Sequence, residues 1–440
     1  MNTALFQNKF FSRNICIFII GLSVAVLCAL LPTEYSTPFF IIFSGLLLGA
    51  FIISVDSPGE FNKIFFLFIA GFLIRILISV LLYFFLDVSQ INSGFFIGDG
   101  ENYSLNGWRI SRLWELGLKV NKSNFVSAFG SFSGTIGNYD FLNAFIYSIS
   151  GYSPLSLFFI NCLAGSLHII VIFIISNKIF NIKIALLSSA FCAFLPSFIL
   201  WSSQNLKDPL TNLGILFSLY LFIKLRHDIK ISSILFLILT FIGLYYLRML
   251  TVAPLALILL FYFLFLHRSN VWIKFVLIIF MVILSLFLFK HIFSSQFILN
   301  SLQEINANRH VRAYGNLAYF PDFRISSLGS LFAYLPLGFL AVWLSPFPWQ
   351  VFSLSQIFVL PEILVWYIFI PFAMKGIHLA IKDRIKDSYF IIATIFVFSL
   401  FLGVYEGNLG TLYRHKAIVI MLVYIFVSAG LLTKQKIEVV

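Results

Sequence analysis

The sequence predicts an all-α, polytopic integral membrane protein. Of its 440 residues, 60% are hydrophobic and only 10% are charged, and the mean hydropathy is +1.00. A soluble domain is closer to half apolar and a quarter charged. Apolar runs of about 20 residues, enough to cross a hydrocarbon core of roughly 30 Å, recur along nearly the whole chain. We therefore expect about 12 transmembrane helices in one membrane domain.

Two of the predicted spans precede the main body of the chain. Residues 1–63 carry these two additional helices, and residues 64–440 form the main transmembrane domain. No small-x-small cleavage site follows the first apolar run, so we expect it to stay in place as a helix. The predicted spans are 15–31, 38–55, 64–86, 154–176, 184–200, 209–225, 231–247, 251–266, 274–290, 354–374, 388–405 and 416–432.

The basic residues give the expected orientation. The chain has 29 Lys and Arg against 17 Asp and Glu, scattered in short connections rather than gathered in a basic domain, which excludes a nucleic-acid binder. By the positive-inside rule we expect these short loops, and both termini, on the cytoplasmic side of the inner (plasma) membrane. The two long loops, 87–153 and 291–353, then lie outside, and long loops usually carry function.

The apolar segment 328–346 is predicted to be re-entrant or interfacial, because a further crossing would move the basic loop that follows span 354–374 to the outside. That loop contains Lys375, Lys382, Arg384 and Lys386.

The first candidate site opens the first outer loop, at Gly98-Asp-Gly-Glu-Asn-Tyr103. We expect the two glycines to form a tight turn around Asp99, followed by an amphipathic helix over 103–118 on the membrane surface. Asp99 is interpreted either as a site carboxylate or as a turn residue. Asp99 and Glu101 alone are too few for a metal site, so no residue is assigned to a metal, and a divalent metal is left open as a cofactor.

Cations at predicted outer positions form the second group. Lys207 precedes Asp208, which has the form of a helix cap before Pro209. Because the positive-inside rule does not explain outer arginines, we expect them to bind a lipid phosphate or pyrophosphate, with snorkelling to headgroups as the alternative. These arginines are Arg248, Arg309, Arg312 and Arg414, and two of them neighbour His310 and His415. Arg75 lies inside a span and needs a buried partner.

From about residue 64 onward, the order of these features resembles the GT-C class of membrane glycosyltransferases, in particular the bacterial relatives of the dolichyl-phosphate-mannose protein mannosyltransferases. The residues that carry the resemblance are Arg75, Gly98-Asp-Gly-x-x-Tyr103, Tyr139–Ser153, Asn161, Phe194-Leu-Pro196, Trp201-Ser-Ser203, Lys207-Asp208 and Tyr413-Arg414. The resemblance implies an outward-facing site that takes a sugar from a polyprenyl-linked donor. It implies that Asp99 is the base or orients the acceptor, and that Arg414 is a candidate for binding the donor phosphate.

Three features depart from that family. Two spans precede the matching region, Gly100 separates Asp99 from Glu101, and Lys207-Asp208 stands where a Glu is more usual.

The function hypothesis is a glycosyltransferase that moves a sugar from a polyprenyl-phosphate or polyprenyl-diphosphate donor to an envelope glycan or lipid acceptor. Asp99 is the predicted catalytic residue. The predicted substrate-binding residues are Glu101, Tyr103, Lys207, Asp208, Arg248, Arg309, Arg312 and Arg414. An O-antigen-type polysaccharide polymerase and a lipid-linked glycan flippase or transporter are the alternatives.

Overall fold

The computed structural model describes residues 33–88, 98–129, 136–228, 230–261, 323–347 and 360–432, together with residues 303, 305–307, 309 and 320. Across these ranges the chain forms helices and no β-strand, which confirms the all-α class. In the same ranges, seven helices are long and apolar enough to cross a membrane, or up to nine if each of two bent pairs is one span. The count of 12 stays a prediction, and the predicted spans 15–31 and 274–290 lie outside the described residues.

The helices of the first half are α1 (Thr33–Asp56), α2 (Phe61–Val88), α3 (Gly98–Glu115), α4 (Lys122–Phe129), α5 (Asn138–Ser150), α6 (Pro154–Ile179), α7 (Ile182–Phe194) and α8 (Pro196–Ser202). Those of the second half are α9 (Asp208–His227), α10 (Ile231–Arg248), α11 (Val252–Phe261), α12 (Leu328–Leu344), α13 (Leu360–Lys382), α14 (Ser388–Tyr405), α15 (Leu409–His415) and α16 (Ala417–Leu432). Single 3₁₀ turns precede α2, at Pro58–Glu60, and α11, at Met249–Thr251.

The chain divides into two compact units. The first takes the residues up to Ile174 together with Cys192–Leu213, and the second takes Ile175–Phe191 and the chain from Gly214 onward.

In the first unit, α3 differs from its predicted limits at both ends. The predicted turn around Asp99 is wrong, because the helix already begins at Gly98 and Asp99 and Glu101 lie in its first turn. Acidic side chains there are stabilised by the helix dipole. The helix ends at Glu115 rather than at 118, because Gly117 adopts a left-handed φ of 67° and Leu118 N–H bonds to Leu113 C=O.

A close contact holds α3 against α5. A Cβ built on Gly107 would lie 2.5 Å from the Cβ of Asn143, so only glycine allows the two helices to come this close. The middle of α3 is thereby held against the middle of α5.

Arg75 of α2 is fully buried and stabilises a break in the chain between α7 and α8. Pro196 has no N–H to donate to the carbonyl of Cys192, four residues earlier. The Arg75 guanidinium donates instead, to Cys192 O at 2.9 Å and Ala193 O at 3.0 Å, while its Nε donates to Ser202 Oγ at 2.9 Å. The buried partner expected for Arg75 is thus a set of neutral oxygens, and the contact anchors the chain just before residues 203–207.

The predicted spans 231–247 and 251–266 fall on one helical path that, by length and composition, counts as a single candidate span. The structure has a helical path of 31 residues from Ile231 to Phe261, interrupted at Arg248, whose backbone has φ −156° and ψ 85°. If residues 231–261 cross the membrane once rather than twice, every later loop changes sides relative to the expected orientation, unless α12 crosses as well. With 17 residues, α12 is about 26 Å long at 1.5 Å per residue, close to the thickness of the hydrocarbon core.

The second unit is built on helix pairs whose backbones touch at glycines. A Cβ on Gly376 of α13 would lie 2.0 Å from Phe426 O of α16, and one on Gly430 of α16 would lie 2.0 Å from Phe372 O. Gly338 of α12 and Gly403 of α14 meet in the same way. Small residues that let helices approach closely are the usual means of packing in membranes.

Candidate functional site

Polar side chains of the first unit collect where α3 and α5 begin and at the connection that follows α8. We call this set the carboxylate site: Asp99, Glu101, Tyr103, Tyr139, Asp140, Asn205, Lys207 and Asp208. Asp99 is exposed and Glu101 is partly exposed, whereas Asp140 and Asp208 are buried. The structure therefore brings five of the sequence-predicted site residues into one unit.

A chain of amide and hydroxyl groups fixes the connection 203–207. Tyr139 of α5 donates to Asn205 Oδ1 at 2.8 Å, and the Asn205 amide donates to Gly100 O of α3 at 3.1 Å. Asn161 of α6 donates both to the Tyr139 hydroxyl and to Gln204 O. Three helices thus hold this connection through neutral hydrogen bonds.

Lys207 is placed by the same connection. Its Nζ lies 5.9 Å from the centre of the Tyr103 ring, within the range of a cation–π contact, and the rings of Tyr103 and Tyr139 meet edge to face at 5.1 Å. The Lys207 side chain thus lies against the Tyr103 ring, and its charge lowers the pKa of Asp140 slightly.

Asp140 is a buried carboxylate in the first turn of α5. Its Oδ2 accepts a hydrogen bond from Gly137 N at 2.8 Å and one from Asn106 Nδ2 at 3.4 Å. Burial raises the pKa of Asp140, and this effect exceeds the lowering by the two hydrogen bonds and by the charge of Lys207. Burial also raises the pKa of the neighbouring Tyr139. A carboxylate with a raised pKa is a stronger base than an ordinary one.

Two buried side chains on the same face of α5 have polar atoms that make no hydrogen bond to any described residue. These atoms are Oδ1 of Asp140 and both amide atoms of Asn143, one turn further along. Most buried polar atoms in proteins are hydrogen-bonded, and exceptions often mark a place where water or a ligand binds.

A second group of charges lies in the second unit. We call it the arginine cluster: Arg248, Glu406, Arg414 and His415. His415 Nδ1 lies 2.6 Å from Glu406 Oε1, and its Nε2 lies 2.8 Å from Arg248 Nη2. Arg414 Nη2 is 3.4 Å from the same Nε2. Two predicted phosphate ligands therefore meet at one imidazole.

The other predicted cations differ from these two. The Arg309 guanidinium lies 4.1 Å from the centre of the Tyr334 ring and is buried, an arrangement that also accounts for it as a packing residue. Arg312 and His310 lie outside the described residues.

Glu362 lines a small cavity together with Lys416, Trp366 and Tyr424.

Sequence reasoning missed the roles of Asp140 and Glu406. Asp140 stands in the Tyr139–Ser153 segment quoted above, but one acidic residue at the start of a helix looks like a simple cap. Glu406 gave a clearer signal, since it is the only acidic residue between Asp387 and Glu438 and follows an apolar run directly.

In the part of the chain that the structure describes, no three His, Cys, Asp or Glu side chains are grouped so that they could hold a metal ion.

Residues 138–293 match the family model described as Dolichyl-phosphate-mannose-protein mannosyltransferase. No curated protein and no solved structure matches the chain. The matched segment begins at the first residue of α5 and includes Asn205, Lys207 and Asp208. It confirms the resemblance expected from the sequence and supports a multi-pass membrane glycosyltransferase of the GT-C type.

Proposed function

We propose that the protein transfers a sugar from a polyprenyl-phosphate or polyprenyl-diphosphate donor to an envelope glycan or lipid acceptor on the outer face of the membrane. The family match carries this proposal, because it covers two of the three segments that build the carboxylate site. The family description names a lipid-phosphate-linked mannose as the sugar donor and a protein as the acceptor. Because the sequence departs from the family pattern at three points, the acceptor proposed here is an envelope glycan or lipid, and the assay below tests it.

In the proposed reaction, an acceptor hydroxyl oxygen attacks the anomeric carbon of the donor sugar. The bond from that carbon to the phosphate oxygen breaks, and its electron pair leaves with the phosphate. Asp99, exposed in the first turn of α3, takes the proton of the acceptor hydroxyl.

The buried groups of α5 support sugar recognition. The Asp140 Oδ1 and the Asn143 amide offer acceptors and donors that no described residue uses, and sugar hydroxyls pair with both kinds of group. Lys207, which lies in the same unit as Asp99, is proposed to stabilise charge on the donor phosphate. Glu101, Tyr103 and Asp208 are proposed to line the substrate site.

The test is a transfer assay with the full chain in proteoliposomes. The probes are polyprenyl-phosphate mannose and a polyprenyl-diphosphate sugar, each radiolabelled in the sugar, with an envelope glycan and lipid extract as acceptor. We expect a labelled product that carries a single added sugar. A ladder of repeat lengths would instead identify a polymerase, and donor that crosses the bilayer without reacting would identify a transporter.

A further inference from the structure

A buried carboxylate of the second unit joins the end of α9 to the start of α14. Asp387, directly before α14, is buried and accepts a hydrogen bond from the guanidinium of Arg226, in the last turn of α9. Its other oxygen lies 2.9 Å from His227 Nε2. One turn before Arg226, the buried ring of Phe222 contacts the ring of Phe390 of α14 at 6.3 Å. The two helix ends are therefore fixed to each other.

This contact brings together the residues that follow His227 and those that precede Asp387. Both segments are basic, and we call their exposed cations the basic corner: Lys230, Lys382, Arg384 and Lys386. Lys230 pairs with Asp228 at 2.8 Å. In the part of the chain that the structure describes, the side chains of the other three cations make no hydrogen bond and no ion pair. The basic corner therefore carries unpaired positive charge.

The backbone of Arg384 is unfavourable for an arginine. Its φ is 53°, and it ends α13 through two hydrogen bonds, from Arg384 N to Ile381 O at 3.1 Å and from Ile385 N to Ala380 O at 3.0 Å. The left-handed residue of such a helix end is usually glycine, because a Cβ is crowded there. The end of the helix therefore does not explain an arginine at this position. What arginine adds is an exposed positive charge, and backbone strain of this kind points to a function.

Exposed apolar side chains border the basic corner. Ile381, next to Lys382, is 50% exposed, and Ile231, next to Lys230, is 78% exposed. A phospholipid offers a phosphate to the cations and acyl chains to the isoleucines, whereas a free anion or an acidic protein segment offers only the negative charge. The positive-inside rule explains the sign of the charges, but it does not require that they be unpaired and held together.

We propose that the basic corner is a binding site for the headgroup of an anionic phospholipid of the surrounding bilayer. The guanidinium of Arg384 pairs with two oxygens of the phosphate, and Lys382 and Lys386 supply further charge on either side of it. The acyl chains lie against Ile381 and Ile231. Clusters of basic residues directly beyond the end of a membrane helix commonly bind anionic lipids. The site takes no part in the proposed transfer reaction.

The test measures lipid binding to the full chain, purified in a neutral detergent with excess phosphatidylcholine. Phosphatidylglycerol is the probe, and native mass spectrometry gives the Kd of the bound lipid. Lys382→Gln and Arg384→Gln should each raise the Kd about fivefold, the contribution of one basic residue at a membrane surface.

Arg384→Gly separates a binding role from a structural one. The Kd should again rise about fivefold, because the charge is lost. The melting temperature in phosphatidylcholine alone should rise as well, because glycine adopts the left-handed backbone without strain. A residue that only supported the fold would lose stability when replaced.

Lys183→Gln is the matched control. Lys183, near the start of α7, is also exposed, makes no hydrogen bond or ion pair through its side chain to any described residue, and lies in a loop predicted on the same side of the membrane. Its replacement removes the same charge from the chain but leaves the basic corner intact. The Kd for phosphatidylglycerol should equal that of wild type.

Several results would overturn the proposal. They are an unchanged Kd in Lys382→Gln and Arg384→Gln, an equal rise in Lys183→Gln, or a lower melting temperature in Arg384→Gly. Displacement of phosphatidylglycerol by an equal concentration of inorganic phosphate would show that the corner binds a free anion. Tighter binding of an acidic peptide than of the lipid would assign it to a protein partner. None of these results bears on the transfer reaction, which the labelled-donor assay tests separately.

Discussion

The carboxylate site and the arginine cluster hold their buried carboxylates in different ways. Asp140 accepts hydrogen bonds from a backbone N–H and an amide side chain, both neutral, and the charge of Lys207 has a smaller effect on it than either bond. Glu406 is tied through His415 to the positive charge of Arg248. A buried carboxylate that is hydrogen-bonded mainly to neutral donors can lose its charge without leaving an unpaired charge in the apolar interior. A buried carboxylate that is paired with a positive charge cannot, because the positive charge stays behind. Replacing the carboxylate by its amide should therefore raise the stability of the fold at Asp140 and lower it at Glu406.

The largest expected effect on stability comes from Glu406→Gln. This change removes the negative charge of the cluster, and the single oxygen of Gln can replace only one of the two acceptors that His415 and Thr411 use. We expect a loss of about 2–3 kcal/mol in the free energy of unfolding, the range for a hydrogen bond to a charged group. Thermal unfolding of the purified protein in detergent measures it. An unchanged melting temperature would show that the cluster is held by packing alone.

A smaller effect is expected from Tyr139→Phe, which tests the neutral network of the carboxylate site. The change removes the hydroxyl that joins Asn205 to Asn161, and we expect a loss of about 1–2 kcal/mol. Transfer activity should also fall severalfold, because the connection that carries Lys207 loosens. Tyr147→Phe, on the same helix, removes a hydroxyl bonded to Ser104 and is the control. If both variants keep full activity, the network does not support the site.

The smallest effect has the opposite sign and comes from Asp140→Asn. The pKa of Asp140 is higher in the folded than in the unfolded chain, so its contribution to stability is present at low pH and is lost as the pH rises through the folded-state pKa. At pH 7 the buried carboxylate therefore destabilises the fold, and asparagine should raise the melting temperature by roughly 1–2 °C. The difference should disappear below about pH 3, where the wild-type carboxyl is protonated in both states. Asp140→Asn that destabilises the fold at pH 7 would contradict the contrast with Glu406.

The sequence predicts what depends on local pattern. The apolar runs identified the membrane class, and Gly98-Asp-Gly together with Lys207-Asp208 identified segments that the structure places in one unit. The residue at which α3 begins could not be predicted, because Gly98 and Gly100 suit a turn and a helix start equally well. The hydrogen bond from the Asn205 amide to Gly100 O shows how the start of the helix is held.

Long-range pairings could not be predicted in the same way. Nothing near Arg75 in the sequence indicates that its partners are carbonyls at 192 and 193, since they are freed by a proline that lies more than a hundred residues away. Likewise, the sequence shows Arg248 and His415 as polar residues next to apolar runs, but their contact joins positions separated by 167 residues. Such contacts depend on tertiary packing rather than on any local pattern.

The central claim, that the carboxylate at the start of α3 carries out the chemistry of a sugar transfer, is tested most directly by comparing Asp99→Asn with Glu115→Gln in the transfer assay. Both changes remove a carboxylate from α3, but Glu115 is exposed at the opposite end, where it pairs with Arg112. We expect Asp99→Asn to lower kcat by about 100-fold or more with little change in the KM for the donor, as for loss of a general base. Glu115→Gln should stay within about twofold of wild type. Full transfer by a folded Asp99→Asn variant would contradict the account.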